Sequence, residues 1–136
     1  MESTSNIEFK AMLERCYADW STPLNHPEKW YADDVLVFDL IPPFPPYRGR
    51  DRYVAGALKE FYDKMTSVTF TAKEVLRIVC IDDMALTEVI VHGSTQPKVG
   101  EQMEIDIRQT QVWVKRDGKW LIIHEHNSVP MPAPQQ

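Results

Sequence analysis

The chain reads as an α+β fold: a curved antiparallel sheet with three N-terminal helices forming a cone with an internal pocket. Helical patterns crowd its first half and β-type runs fill its second. An Asp117-Gly118 dipeptide joins the last two runs, and it suits a type I′ hairpin turn, in which both central residues need φ > 0. With that turn fixing the register, one face of the hairpin carries Val112, Val114, Leu121 and Ile123, then Arg108, Thr110, Glu125 and Asn127. An apolar stripe that becomes polar away from the turn is what the wall of a ligand cavity needs.

The elements follow in order. Ile7, Met12, Leu13, Tyr17 and Trp20 make a partial 3.6-residue stripe, so a first helix runs until Pro23 stops it. Pro27 suits the first turn of a short second helix over 27–32, capped by Asn25 or His26. Residues 35–40 are rich in β-formers. Residues 41–49 hold four prolines, which excludes a helix or a central strand and leaves a rigid loop. A third helix over about 50–65 places Tyr53, Val54, Ala57, Leu58, Phe61, Tyr62 and Met65 on its apolar side. Four strands then form an antiparallel meander over about 68–80, 84–94, 102–115 and 119–128.

At 136 residues the chain is one domain, 1–136, with 130–136 a loose proline-rich tail. A net charge of −5 argues against nucleic-acid partners, which demand a basic field. The N-terminus is polar and no apolar run reaches the ~20 residues that span a bilayer, so a cytoplasmic protein without membrane contact is expected. Cys16 and Cys80 have no metal or redox spacing and read as buried thiols. Neither metal nor cofactor is expected.

Tyr31-Ala-Asp-Asp-Val-Leu-Val-Phe-Asp39 and Tyr47-Arg-Gly-Arg-Asp-Arg, followed by an apolar helix, resemble the ketosteroid isomerase family. The closing hairpin, from Trp113 to Ser128, resembles SnoaL-like proteins and is similar to the hub domain of calcium/calmodulin-dependent kinase. All belong to the nuclear transport factor 2-like superfamily, and the resemblance covers about residues 7–129. It implies Asp39 in the place of the isomerases' general base, where apolar neighbours favour proton abstraction beside a carbonyl. Tyr17 lies near their oxyanion-binding tyrosine. Their second oxyanion donor, an aspartate, is replaced by Thr110, or by Gln111 if the hairpin is counted differently, and this departs from steroid isomerases. Asp106, Arg108 and Glu125 resemble, in residue types, the acid–arginine–acid cluster of limonene epoxide hydrolase-like proteins. Asn127 stands where the kinase hub has a pocket arginine.

Trp30 and Tyr47, with Phe44 of the proline loop, are expected to form an aromatic lip over the cavity. Gln109, Gln111, Trp113, Trp120, Ile122, His124 and His126 fall on the other face, whose mixed character suits a homodimer interface. The functional expectation is a small-molecule pocket for an apolar ligand bearing a carbonyl or carboxylate, with isomerase- or cyclase-like acid–base chemistry. The alternatives are a non-catalytic binding or oligomerisation module and an epoxide hydrolase-like enzyme.

Overall fold

The computed structural model describes residues 4–22 and 26–131. Most of the expected loose tail, from Pro132 on, lies outside these residues, as do Pro23 and Asn25. Helix α1 (Thr4–Trp20) buries Phe9, Met12, Leu13, Cys16, Tyr17 and Trp20. These recur every three or four residues, so one stripe faces the sheet. The expected second helix does not form: only a 3-10 turn, Pro27–Trp30, precedes strand β1 (Tyr31–Phe38). Tyr31 already has an extended backbone, φ −102 and ψ 138, and its ring is buried. Burial in a strand thus overrides the short helical start that Pro27 allows. The expected third helix is present as α2, a π-helical stretch Asp51–Leu58 continued by α-helical Lys59–Asp63. The helical bodies therefore number two rather than three among the described residues.

Five further strands complete one sheet: β2 (Pro46–Arg48), β3 (Met65–Ile81), β4 (Met84–Pro97), β5 (Met103–Arg116) and β6 (Lys119–Ser128). Their spatial order is β2-β1-β6-β5-β4-β3. Strands β3 to β6 form the expected meander, but β1 pairs in parallel with β6, so the sheet is not wholly antiparallel. Strand β2 arises inside the proline loop and pairs only with β1, at an edge where a missing N–H costs little. Asp117 and Gly118 have φ 50 and 76, as the type I′ turn requires. Register shifts between β3 and β4 add local twist and bend the sheet around α1.

One further register shift decides the site. Trp113 pairs with Ile122, whereas Val112 pairs with His124, so Ile123 is an extra residue in β6. Beyond this bulge the alternation of β6 against β5 is displaced by one residue. Gln109, Gln111 and Trp113 of β5 are buried together with Ile122, Glu125 and Asn127 of β6. Arg108 is exposed and Thr110 and Val112 are only partly covered. The expectation that Arg108 and Thr110 share the inner face with Glu125 and Asn127 is thereby corrected: the β6 pair faces inward and the β5 pair outward. Likewise, of the residues expected outside, Gln109, Gln111, Trp113 and Ile122 form the inner wall. Phe9 packs edge-on against Trp113 and Trp120, at 5.4 and 5.2 Å between ring centroids, and closes the core at the turn end.

Candidate active site

The far end of the concave face encloses a cavity of about 440 Å³. Apolar groups such as Ile41, Phe70, Val91, Ile105 and Ile107 form most of its wall, and Asp39, Glu125 and Asn127 form its polar end. Lys64 is the one cation among the lining residues, and it is exposed.

Asp39 follows β1 directly, where the chain turns into the proline loop. Its Oδ1 accepts the Leu40 backbone N–H at 2.7 Å and Asn127 Nδ2 at 3.1 Å, and its Oδ2 accepts the Tyr53 hydroxyl from α2. Glu125 is 1% exposed and has no cationic partner among the described residues. Its Oε1 accepts Gln111 Nε2 at 2.8 Å and the Tyr31 hydroxyl at 3.2 Å, and its Oε2 accepts Asn127 Nδ2 at 3.0 Å. The Asn127 amide nitrogen thus serves both acids, one hydrogen each.

A directed chain of donors supports this pair. Tyr17 donates to Gln109 Oε1 at 2.8 Å, and Gln109 Nε2 donates to Asn127 Oδ1 at 2.9 Å. On the other side Trp113 donates to Thr87 at 3.0 Å, and Thr87 lies 3.4 Å from Gln111 Oε1. Each amide is fixed from its oxygen side, so the N–H groups of Gln111 and Asn127 face the carboxylates and that of Gln109 faces Asn127. A buried polar network of this kind is rigid because each loss of a partner strands another group.

Burial, and next the charge of Asp39, raise the Glu125 carboxyl pKa to about 7, against the three hydrogen bonds that favour its anion. Burial and the neighbouring carboxylates push the phenols of Tyr31 and Tyr53 up, so both remain donors. The site therefore pairs an acid poised near neutrality with a second carboxylate held by three donors.

The other expected site residues fall elsewhere. Tyr17 is buried, but its hydroxyl is spent on Gln109 and it does not line the cavity. Trp30 donates to Asp19 at 2.8 Å and packs on Trp113, away from the lip. Tyr47 is buried, donates to the Ile41 carbonyl at 2.9 Å and backs Tyr53. The lip consists instead of Leu40, Ile41 and Pro42, while Phe44 is exposed. Asp106 pairs with Lys73 at 2.5 Å and with His92 at 2.8 Å on the outer surface, so no Asp106–Arg108–Glu125 cluster exists. Cys16 is buried as expected, whereas Cys80 is only half-buried. Tyr31, expected in the second helix, and Tyr53, expected on the apolar side of the third, supply the two phenols, and nothing in the sequence marked either for that role; Gln109 and Gln111 were assigned to the wrong face.

A family model of the SnoaL-like domain matches residues 24–132, most of the chain and all of the acid pair. The chain belongs to the SnoaL-like domain family. Solved structures of nuclear transport factor 2-like proteins share the fold of this SnoaL-like chain. An NTF2-like protein from Pseudomonas putida KT2440 is 23% identical, with TM-score 0.80 over 98% of this chain and 92% of that one. A candidate calcium/calmodulin-dependent kinase II association domain from Xanthomonas campestris is 25% identical, with TM-score 0.77 over 93% and 88%. A candidate scytalone dehydratase from Novosphingobium aromaticivorans DSM 12444 is 20% identical, with TM-score 0.77 over 96% and 89%. A search of curated proteins finds no significant match. No helix among the described residues is long and apolar enough to cross a membrane.

Proposed function

We propose that this SnoaL-like protein is an acid–base enzyme that moves a proton beside a carbonyl group of a neutral, mostly apolar ligand. The observation that carries this reading is the Asp39–Glu125 pair, bridged by Asn127 at the polar end of an apolar cavity. Asp39, fixed by three donors, takes the proton from carbon. Glu125, with its pKa near 7, returns a proton to the oxygen, or to another carbon, or to a leaving group. This makes isomerisation, cyclisation and β-elimination equally accessible to one site. The similarity to a candidate scytalone dehydratase supports such chemistry without naming a substrate.

With Arg108 outside, the polar end holds no guanidinium, so a ligand carboxylate would face two acids without a counter-charge. The carbonyl half of the sequence-based expectation is therefore retained and the carboxylate half set aside.

The test is deuterium exchange at the α-carbon of cyclic ketones such as 1-tetralone in D2O, followed by NMR. Exchange catalysed by the wild-type chain and lost in Asp39→Asn supports the reading. Exchange no faster than buffer with every ketone tried would leave the chain a binding module.

A second reading concerns assembly. Phe38, 40% exposed, sits between His124 and His126 on the outer sheet face, each 5.3 Å away. We infer that this face pairs with a second copy of the chain, a reading supported by the similarity to an association domain.

A further inference from the structure

The indole Nε1–H of Trp20 is buried without a hydrogen-bond partner, the one such side-chain atom among the described residues. Trp20 is 7% exposed, and it lines the same cavity as the acid pair. Two other indoles of the chain are satisfied: Trp113 gives its N–H to Thr87 and Trp30 gives its own to Asp19. A buried N–H left unpaired has given up its hydrogen bond to water without a replacement. The fold satisfies the donor chain of Gln109, Gln111 and Asn127 and leaves this donor, on a residue that lines the cavity, unused.

The indole is also held still. Its ring stacks on Tyr31, with centroids 5.8 Å apart and planes 6° from parallel, and meets the edge of Tyr17 at 5.5 Å. Its backbone carbonyl accepts the Tyr62 hydroxyl. Tyr31 in turn donates to Glu125, so the indole is one aromatic ring removed from the acid pair. Resting on the acid–base reading above, we propose that Trp20 Nε1–H is the anchor for the carbonyl oxygen of the ligand. The ligand's apolar body then lies on Phe70, Val91 and Ile107, and its acidic carbon faces Asp39. Hydrogen bonding at the oxygen draws electron density from the adjacent C–H, which is the bond the acid pair acts on.

The experiment uses the full 15N-labelled chain with 1-tetralone and with tetralin, the same skeleton without the oxygen. The Trp20 indole resonance, assigned in the wild type, is expected to move downfield and saturate with the ketone and to stay largely in place with the hydrocarbon. Trp20→Phe keeps an aromatic ring and removes the donor. It is expected to bind 1-tetralone about tenfold more weakly, the loss of one net hydrogen bond, and tetralin unchanged. An indole resonance unmoved by saturating ketone, one moved equally by both compounds, or a ketone that does not bind overturns the assignment. Because the resonance is read in the wild type, poor folding of the variant does not decide the outcome. The acid–base reading fails separately: a ketone-specific indole shift with no α-proton exchange keeps the anchor and removes the chemistry. Exchange that persists without the shift does the reverse.

Discussion

Glu125 concentrates the chemistry of the molecule in one carboxyl group. Its pKa rises from 4.5 unfolded to about 7 folded, so the native state binds the proton more tightly. Stability then falls as pH rises from about 4.5 to 7 and flattens above that range, where both states are ionised. The slope from this single proton approaches about 1.4 kcal/mol per pH unit. Glu125→Gln removes the titrating group, so urea denaturation between pH 5 and pH 8 should give a visibly flatter stability profile than wild type. A profile as steep as the wild type's would assign the slope to other groups. Asp39 makes a different prediction. Asp39→Asn keeps a group that can accept from Leu40, and should leave the fold intact while lowering ketone α-proton exchange by about 10²-fold or more. Asp39 was singled out through the resemblance to the isomerase family, and the end of β1 sets its place on the cavity wall. Glu125 was visible as an inward residue, but its company was not: Arg108 was expected beside it, and Gln109, Gln111, Tyr31 and Tyr53 surround the pair instead.

At the level of elements, the closing hairpin explains why. The Asp117-Gly118 turn is written in two residues whose φ values the turn demands, and it was read correctly. The extra residue Ile123 has no such signature. Isoleucine fits a strand anywhere, and a bulge of one residue leaves the hydrophobic pattern on either side intact while inverting the faces beyond it. The parallel pairing of β1 with β6 is illegible for a related reason, since partners so distant in sequence share no turn that records their direction. The second helix failed on length: Pro27 starts a turn, but the buried Tyr31 and Ala32 commit the chain to strand after Pro27–Trp30. Deleting Ile123 tests the role assigned to the bulge. It should restore unbroken pairing with β5 and leave Glu125 and Asn127 facing inward, because they already lie opposite Gln111 and Gln109 in the register beyond the bulge. With the buried polar network kept, denaturation should stay cooperative and show a loss of only about 1 kcal/mol. A loss of several kcal/mol, or no cooperative transition, would mean that the extra residue itself, and not the pairing beyond it, holds the network in place.

The whole molecule separates its two working faces across one sheet. The concave face, under α1 and α2, holds the core and the cavity. The outer face carries Phe38 between two imidazoles, Arg108, and the Lys73–Asp106–His92 ion pairs. The sequence-based expectation of a mixed outer face survives in His124 and His126, although the tryptophans assigned to it lie inside. A half-exposed phenylalanine gains when a partner covers it, because each buried Å² of apolar surface contributes about 25 cal/mol. The surrounding charges and imidazoles can remain hydrated at a rim. Sedimentation velocity of the wild-type chain should therefore give a dimer at micromolar concentration. Phe38→Asp places a charge in the centre of the contact and should shift the population to monomer. Because Phe38 points away from the cavity, the thermal transition of the unassociated chain and the ketone-dependent Trp20 resonance should survive the change. A wild-type chain that sediments as a monomer removes the interface; a Phe38→Asp dimer as tight as wild type moves it to another surface.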